Sequence, residues 1–349
     1  MFDKVRLMVF PRSVLVGHDV LSKLPELLED LALDGKPFIV TGNRTWDVAG
    51  NAIFEMLKKR EPEFVKVGNC TTRELDSVLG RLSDLEMDFI IGLGGGSKID
   101  LAKLVAAKKG LPFISIPTSA SHDGIVSSRA SVRDGRALVS QEAVAPTAIV
   151  ADTHIIAKAP PKLLASGCAD VVGNLVAVAD WKLALSLKNV PFSSTAEALS
   201  EMAAKLILNN VPQIKKMDED AAWIVLKSLI ASGISMCIAG NSRPASGSEH
   251  KFSHALDLIC PGKAMHGEAC GVGAIMMAYA HQMDWTRIKE SLAEIGAPTT
   301  AGELGIDDKD VVEALVRANE IRPERFTIID NGITKDAARR MARITGVIG

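Results

Sequence analysis

The chain has 349 residues, 47% of them apolar and 23% charged, a globular composition long enough for two domains. Forty Lys and Arg against 42 Asp and Glu give a net charge of −2, without the basic excess expected of a nucleic-acid-binding protein. No apolar run of ~18 residues is free of charge, which argues against membrane insertion. Five scattered cysteines (Cys70, Cys168, Cys237, Cys260, Cys270) form no C-x-x-C pair, so a reduced, cytoplasmic, metabolic protein is expected.

Residues 1–10 carry a charge inside an apolar run and read as a strand rather than a secretion signal. Residues 37–42 form a buried strand ending in a turn. The stretch 51–59 then sets Ile53, Met56 and Leu57 on one helical face. A strand at 63–67 and a helix at 72–85 follow, with Thr72 as its N-cap. A strand at 89–93 runs through three glycines into a helix at 97–109, and 112–116 is another strand. Residues 123–136 and 241–248 read as loops. Strand–helix alternation at this interval predicts right-handed crossovers and a parallel sheet buried on both faces, with ligands outside the carboxyl ends of its strands.

From about residue 160 the texture changes. Ala-, Leu- and Met-rich stretches at 163–187, 194–208, 221–240, 250–258, 266–283, 285–295, 308–318 and 335–343 predict an all-helical second domain. It joins the first at Pro160-Pro161, giving an α/β domain over 1–158, a helical domain over 159–349 and a cleft between them.

Gly94-Gly95-Gly96-Ser97-Lys98-Ile99-Asp100 sits between a buried strand and a helix. Glycines let the backbone approach an anion, and the free amides of a helix start favour phosphate. A pyrophosphate cradle is therefore expected, the plainer alternative being a tight strand-to-helix turn. The next strand ends in Pro117-Thr118-Ser119-Ala120-Ser121-His122-Asp123, with Ser127 close behind. Its small polar groups face the same sheet mouth and suit the rest of a dinucleotide.

Of seven histidines, His250 and His254 share a helix face at i, i+4, and His266 opens a segment apolar enough to be buried. Asp170 sits in similarly apolar surroundings and needs a partner there. One carboxylate and two imidazoles suit a catalytic zinc with open positions. Hydrogen-bonded core histidines would give the same spacing.

Taken in order, Gly94–Ser97, Pro117–Ser121, Asp170, His250-x-x-x-His254 and His266-Gly267-Glu268 resemble the superfamily of iron-type alcohol dehydrogenases, glycerol dehydrogenases and dehydroquinate synthases. The resemblance runs through nearly the whole chain. It implies a Rossmann-like first domain and a helical second one. Asn174 stands where iron-type members carry a further histidine, which favours a three-ligand zinc site. Asp170 departs from the glutamate of dehydroquinate synthases. The segments 118–128 and 248–257 look most like the archaeal sn-glycerol-1-phosphate dehydrogenase branch.

The resemblance implies zinc on Asp170, His250 and His266. It places Asp123, Asp170 and His254 on the substrate, with Asp123 and His254 as catalytic groups. Gly94, Gly95, Gly96, Ser97, Lys98, Ile99, Asp100, Thr118, Ser119, Ala120, Ser121 and Ser127 are implied for NAD or NADP. The implied reaction reduces dihydroxyacetone phosphate, a phosphorylated triose, to sn-glycerol 1-phosphate for membrane phospholipid synthesis. A polyol dehydrogenase acting on unphosphorylated glycerol is the alternative. The turn at 67–72 has no acidic side chain at its start to repel a ribose 2′-phosphate, so weak discrimination between the nucleotides is expected. Lys251 and Arg243 are candidates for the substrate phosphate. Cys168 and Cys270 flank the ligands without an assigned role. The segment after His266 reads as a core helix or a subunit contact, leaving a homo-oligomer open.

Overall fold

The computed structural model describes residues 8–135 and 137–349. The expected opening strand lies mostly outside them. Residues 8–10 are in no strand, and the first strand is β1 (Ser13–Gly17). Next come α1 (Leu24–Asp30) and β2 (Pro37–Thr41). α2 (Asn43–Thr45) and a π turn at Trp46–Gly50 precede the helix expected at 51–59, which is α3 (Asn51–Met56) followed by a 3-10 turn at Lys58–Arg60.

β3 (Glu63–Lys66), α4 (Thr72–Leu82), β4 (Phe89–Gly94), α5 (Gly96–Lys109) and β5 (Phe113–Pro117) keep the expected order. Thr71 rather than Thr72 caps α4, its hydroxyl accepting from the Glu74 amide at 3.1 Å. The supposed loop at 123–136 instead carries β6 (Arg129–Asp134), which pairs antiparallel with β7 (Ala137–Glu142). β8 (Ala148–Asp152) and α6 (Thr153–Ala157) complete this part.

Six parallel strands lie in the order β1-β8-β5-β4-β2-β3. β2, β4, β5 and β8 are buried along their whole length, which is why they read as unbroken apolar runs. Their side chains alternate across the sheet. Phe38, Ile90 and Phe113 pack with Leu75 of α4 and Leu104 of α5, whereas Ile39, Ile91 and Ile114 pack with Leu24 of α1 and Ile53 of α3. The chain leaves β2 outward to β3 but leaves β4 the other way to β5. The strand order therefore reverses between β2 and β4, and a crevice opens at their carboxyl ends.

The remainder is helical: α7 (Pro161–Val172), α8 (Asn174–Lys188), α9 (Ser194–Asn209), α10 (Val211–Ile214) and α11 (Glu219–Ala239). It continues through α12 (Ser248–Ile259), α13 (His266–Ala280), α14 (Trp285–Ile295), α15 (Asp308–Arg317) and α16 (Lys335–Ile344). Pro161 opens α7, where its missing N–H costs nothing. The expected single stretch 163–187 breaks into α7 and α8 at Gly173. The runs Pro161–Lys188 and Glu219–Ala239 are long and apolar enough to cross a membrane, yet 83% and 61% of their apolar windows are buried inside the fold as core.

Two glycine contacts fix the height of one layer on the next. A Cβ on Gly167 of α7 would stand 2.1 Å from the Ala120 carbonyl oxygen in the loop after β5. A Cβ on Gly267 of α13 would stand 2.1 Å from the Ser166 carbonyl oxygen. Loop, α7 and α13 thus stack backbone against backbone. A third tie is Lys103 of α5, fully buried, which donates to the carbonyls of Gly124 (2.5 Å) and Arg129 (2.6 Å). It also pairs with Asp100 at 3.5 Å, whose other oxygen accepts from the Ser131 amide at 3.1 Å.

Candidate metal centre and coenzyme cleft

Asp170 reaches the site from the last turns of α7, His250 from α12 and His266 from the first residue of α13. The Asp170 Oδ1 atom lies 3.8 Å from His250 Nε2 and 3.7 Å from His266 Nε2, and it is buried without a hydrogen-bond partner. Donor atoms of these three residues and of Cys270 lie within 4.8 Å of one another. Zinc bonds of ~2.1 Å place tetrahedral donors roughly 3.4 Å apart, so a small contraction would close the set. Burial holds both imidazoles below the ordinary histidine range, keeping them in the neutral form that a metal takes.

Glu249, which the spacing argument missed, is fully buried next to His250, with its Oε1 2.8 Å from His250 Nδ1. With that nitrogen donating to Glu249, Nε2 is left as the free donor, the arrangement that orients metal-binding histidines. The sequence signal was present: an acid beside a histidine on a helix with a buried face. Cys270 lies one turn after His266, its Sγ 3.7 Å from His266 Nε2, and burial pushes the thiol well above its ordinary range. Asn174 turns away from these donors and gives its side-chain amide to Ser232 Oγ at 3.0 Å.

Asp123 comes from the opposite side, on the loop after β5. Its amide donates to Asp170 Oδ2 at 3.1 Å, and its Oδ2 accepts from Ser232 Oγ at 2.7 Å. Both carboxyls are pushed up to about 7, by burial first and, for Asp123, by the Asp170 charge second. His254, one turn beyond His250, keeps a buried Nδ1 without a partner, and its ring centroid lies 5.8 Å from that of His266.

Asp123, His250, His254 and His266 line one cavity of about 620 Å³, together with Gly96, Ser97, Asp100, Ser121 and Ser127. Gly94 adopts φ +148, and its Gly95 neighbour is the N-cap of α5, so the amino end of that helix opens at the β2/β4 crevice. His122 roofs the turn so closely that a Cβ on Gly96 would fall 1.6 Å from its Nε2. Ser97 is partly committed, its Oγ accepting from the Cys70 amide at 2.7 Å. Ile99 and Ala120 have side chains in the apolar core and can offer a ligand only backbone. Lys98 leans over Gly42 at the end of β2, while Thr118 and Ser119 are buried.

The phosphate candidates fare worse. Lys251 is buried in an ion pair with Asp330 at 2.8 Å, and Arg243 donates to the Phe326 carbonyl without lining the cavity. Arg322 lines it instead. It lies between α15 and α16, with no periodicity linking it to the histidines.

Residues 15–160 match the model of the iron-containing alcohol dehydrogenase family. The glycerol-1-phosphate dehydrogenase [NAD(P)+] of Methanosarcina acetivorans is 49% identical over 348 residues, covering 99% of this chain and 98% of the relative. That of Methanothermobacter thermautotrophicus is 50% identical over 341 residues, covering 97% and 98%. The chain belongs to the glycerol-1-phosphate dehydrogenase family. Its kinship with that family extends through the helical part, beyond the region that the alcohol dehydrogenase model matches. Among solved structures, glycerol dehydrogenase from Schizosaccharomyces pombe superposes with a TM-score of 0.81 at 20% identity, covering 98% of this chain and 91% of the other. Sulfoacetaldehyde reductase from Bifidobacterium kashiwanohense, solved with NAD+, gives 0.76 at 16%, covering 99% and 100%. At that identity they establish the family's fold, a Rossmann-like sheet followed by helices.

Proposed function

We propose that this chain reduces dihydroxyacetone phosphate to sn-glycerol 1-phosphate, using NADH or NADPH and a zinc ion held by Asp170, His250 and His266. The observation that carries the reading is the convergence of those donors, with both histidines lining a cavity that Gly96 and Ser97 of α5 also line, in a chain half identical to glycerol-1-phosphate dehydrogenases. In this division of labour residues 1–158 hold the nucleotide, and 159–349 hold metal and most of the substrate. A reducing, cytoplasmic setting fits five cysteines that are all buried and free.

The orphaned Asp170 oxygen and the two neutral imidazoles fit a divalent cation. When bound, zinc supplies a Lewis acid that polarises the ketone and favours negative charge on its oxygen. The free amides at Gly95–Ser97 would hold the coenzyme's pyrophosphate. A bound reduced nicotinamide would supply the hydride for the ketone carbon, and the chain's own residues would deliver the proton to its oxygen. Asp123, oriented by Ser232, holds the neighbouring hydroxyl. His254 offers Nδ1 as the proton's relay point, for which an imidazole is suited.

Because β2, not edge strand β3, borders β4 at the crevice, the end of β2 rather than the turn at 67–72 is the candidate for the adenosine ribose. Thr41, Gly42, Asn43 and Arg44 end β2 without a carboxylate. NADH and NADPH should accordingly give kcat/KM values within about tenfold of each other, since 1.36 kcal/mol is tenfold. A hundredfold preference in steady-state assays would contradict this. The reaction itself is tested by following nucleotide oxidation with dihydroxyacetone phosphate and with dihydroxyacetone, then resolving the product's enantiomers. Preferential turnover of the unphosphorylated ketone would transfer the chain to polyol chemistry.

A further inference from the structure

We infer that Arg322 and Arg325 form the pocket that receives the substrate's phosphate, across His254 from the metal donors. The inference rests on the reduction of a phosphorylated triose proposed above and says where its dianion is bound. Both arginines lie in the segment between α15 and α16, more than fifty residues beyond His266 in the sequence. Arg322 lines the cavity that holds His250 and His266, and with Arg325 it lines a second cavity of about 610 Å³. The two cavities share Arg129, Ser242, His254 and Arg322, so a ligand extending from the metal donors past His254 enters guanidinium territory.

Arg325 is fixed there by donating to the Ser246 carbonyl (2.5 Å) and to Ser242 Oγ (2.8 Å). Arg322 has one weak contact, with Ser246 Oγ at 3.5 Å, leaving most of its donors unspent. Among the described residues, neither guanidinium has a carboxylate within 4.0 Å, although Lys251 close by is paired with Asp330. Glu324, at the rim of the second cavity, is exposed.

Two like charges drawn partly out of water with no carboxylate in contact, Glu324 acting on both only at longer range, are unfavourable, and a dianion removes both costs. The strain is visible in Arg325, pushed down to about 9 by burial first and then by the Arg322 and Arg243 charges. The backbone tells the same story independently. Arg322 adopts φ +47, a left-handed conformation uncommon for arginine, which aims the side chain at the cost of local strain. Paired guanidiniums match phosphate oxygens in a fork geometry that lysine does not reproduce.

The test uses the zinc enzyme saturated with NAD+, so that the coenzyme's own anion site is filled, with inorganic phosphate titrated calorimetrically. R322A, R322K and wild type are compared. In parallel, kcat/KM is measured on dihydroxyacetone phosphate and on dihydroxyacetone. Phosphate affinity should fall at least tenfold in R322A. Its kcat/KM on the phosphorylated ketone should fall about 100-fold, mostly through KM, and the preference over dihydroxyacetone should shrink by a similar factor. R322K should fall between, because it keeps the charge and loses the fork. If R322A does not fold, R322K alone decides. A phosphate affinity and substrate preference within threefold of wild type, in whichever variant folds, would overturn the assignment. A wild type that binds phosphate through Arg322 but ignores dihydroxyacetone phosphate would leave this pocket standing and remove the proposed reaction instead.

Discussion

Replacing His266 with alanine should cut turnover of dihydroxyacetone phosphate about 10³-fold and leave less than about a tenth of a zinc per chain, against one in the unaltered protein. A thousandfold loss is roughly 4 kcal/mol of transition-state stabilisation, what a Lewis acid on a ketone oxygen is able to supply. Chelation of the unaltered protein should reach the same low rate and zinc should restore it, whereas the variant should gain little from added metal. The pH dependence has a definite sign. Without metal, burial and mutual repulsion hold the coupled Asp170–Asp123 pair protonated well above the ordinary carboxylate range. Zinc must displace that proton, so its apparent affinity should rise from pH 5 to pH 8. Full activity and full zinc content in H266A, measured by kinetics and atomic emission, would remove the three-donor site.

Substituting Gly167 by alanine should damage stability and catalysis together. The added carbon would stand 2.1 Å from the Ala120 carbonyl oxygen, an atom of the main chain that cannot rotate aside. Overpacking of this kind costs about 1–3 kcal/mol, read as a lowered denaturant midpoint. The loop after β5 must move away from α7, and that loop carries Asp123 toward Asp170. A displacement near 1 Å in a positioned group costs on the order of 10²-fold in rate. G80A is the control, because nothing lies within 4 Å of a Cβ at that position on α4. It should be neutral or slightly stabilising, since glycine inside a helix is unfavourable. Equal kcat and midpoint in G167A and wild type would show that the layers can slide.

Much of this architecture is written in local pattern. Buried parallel strands announce themselves as apolar runs, as at 37–41 and 89–94, and Gly94–Gly96 marks the turn because φ +148 at Gly94 admits little else. The hairpin of β6 and β7 escaped because its strands, Arg-Ala-Ser-Val-Arg-Asp and Ala-Leu-Val-Ser-Gln-Glu, mix charge with short apolar side chains. Ala130 and Val132 are the buried positions of β6. The helical break at Gly173 was hidden because its backbone stays near helical dihedrals (φ −54, ψ −25) while α8 begins at the next residue. Asp170 and the histidines were legible as charged or titratable side chains in apolar company. Arg322 was not. Its meaning depends on a tertiary approach of the segment after α15 to α12, which no spacing along the chain records.

The buried ammonium of Lys103 has a consequence for the order of events. It fastens the segment that carries Asp123 to the same helix whose first amides open at the β2/β4 crevice, and Asp100 extends the fastening to the hairpin. On the proposed reaction, nicotinamide and triose therefore meet a single rigid jaw rather than two independent ones. Whichever docks first presets the stance of the other's partner, so their affinities should be thermodynamically linked, each tightening the other by one common factor.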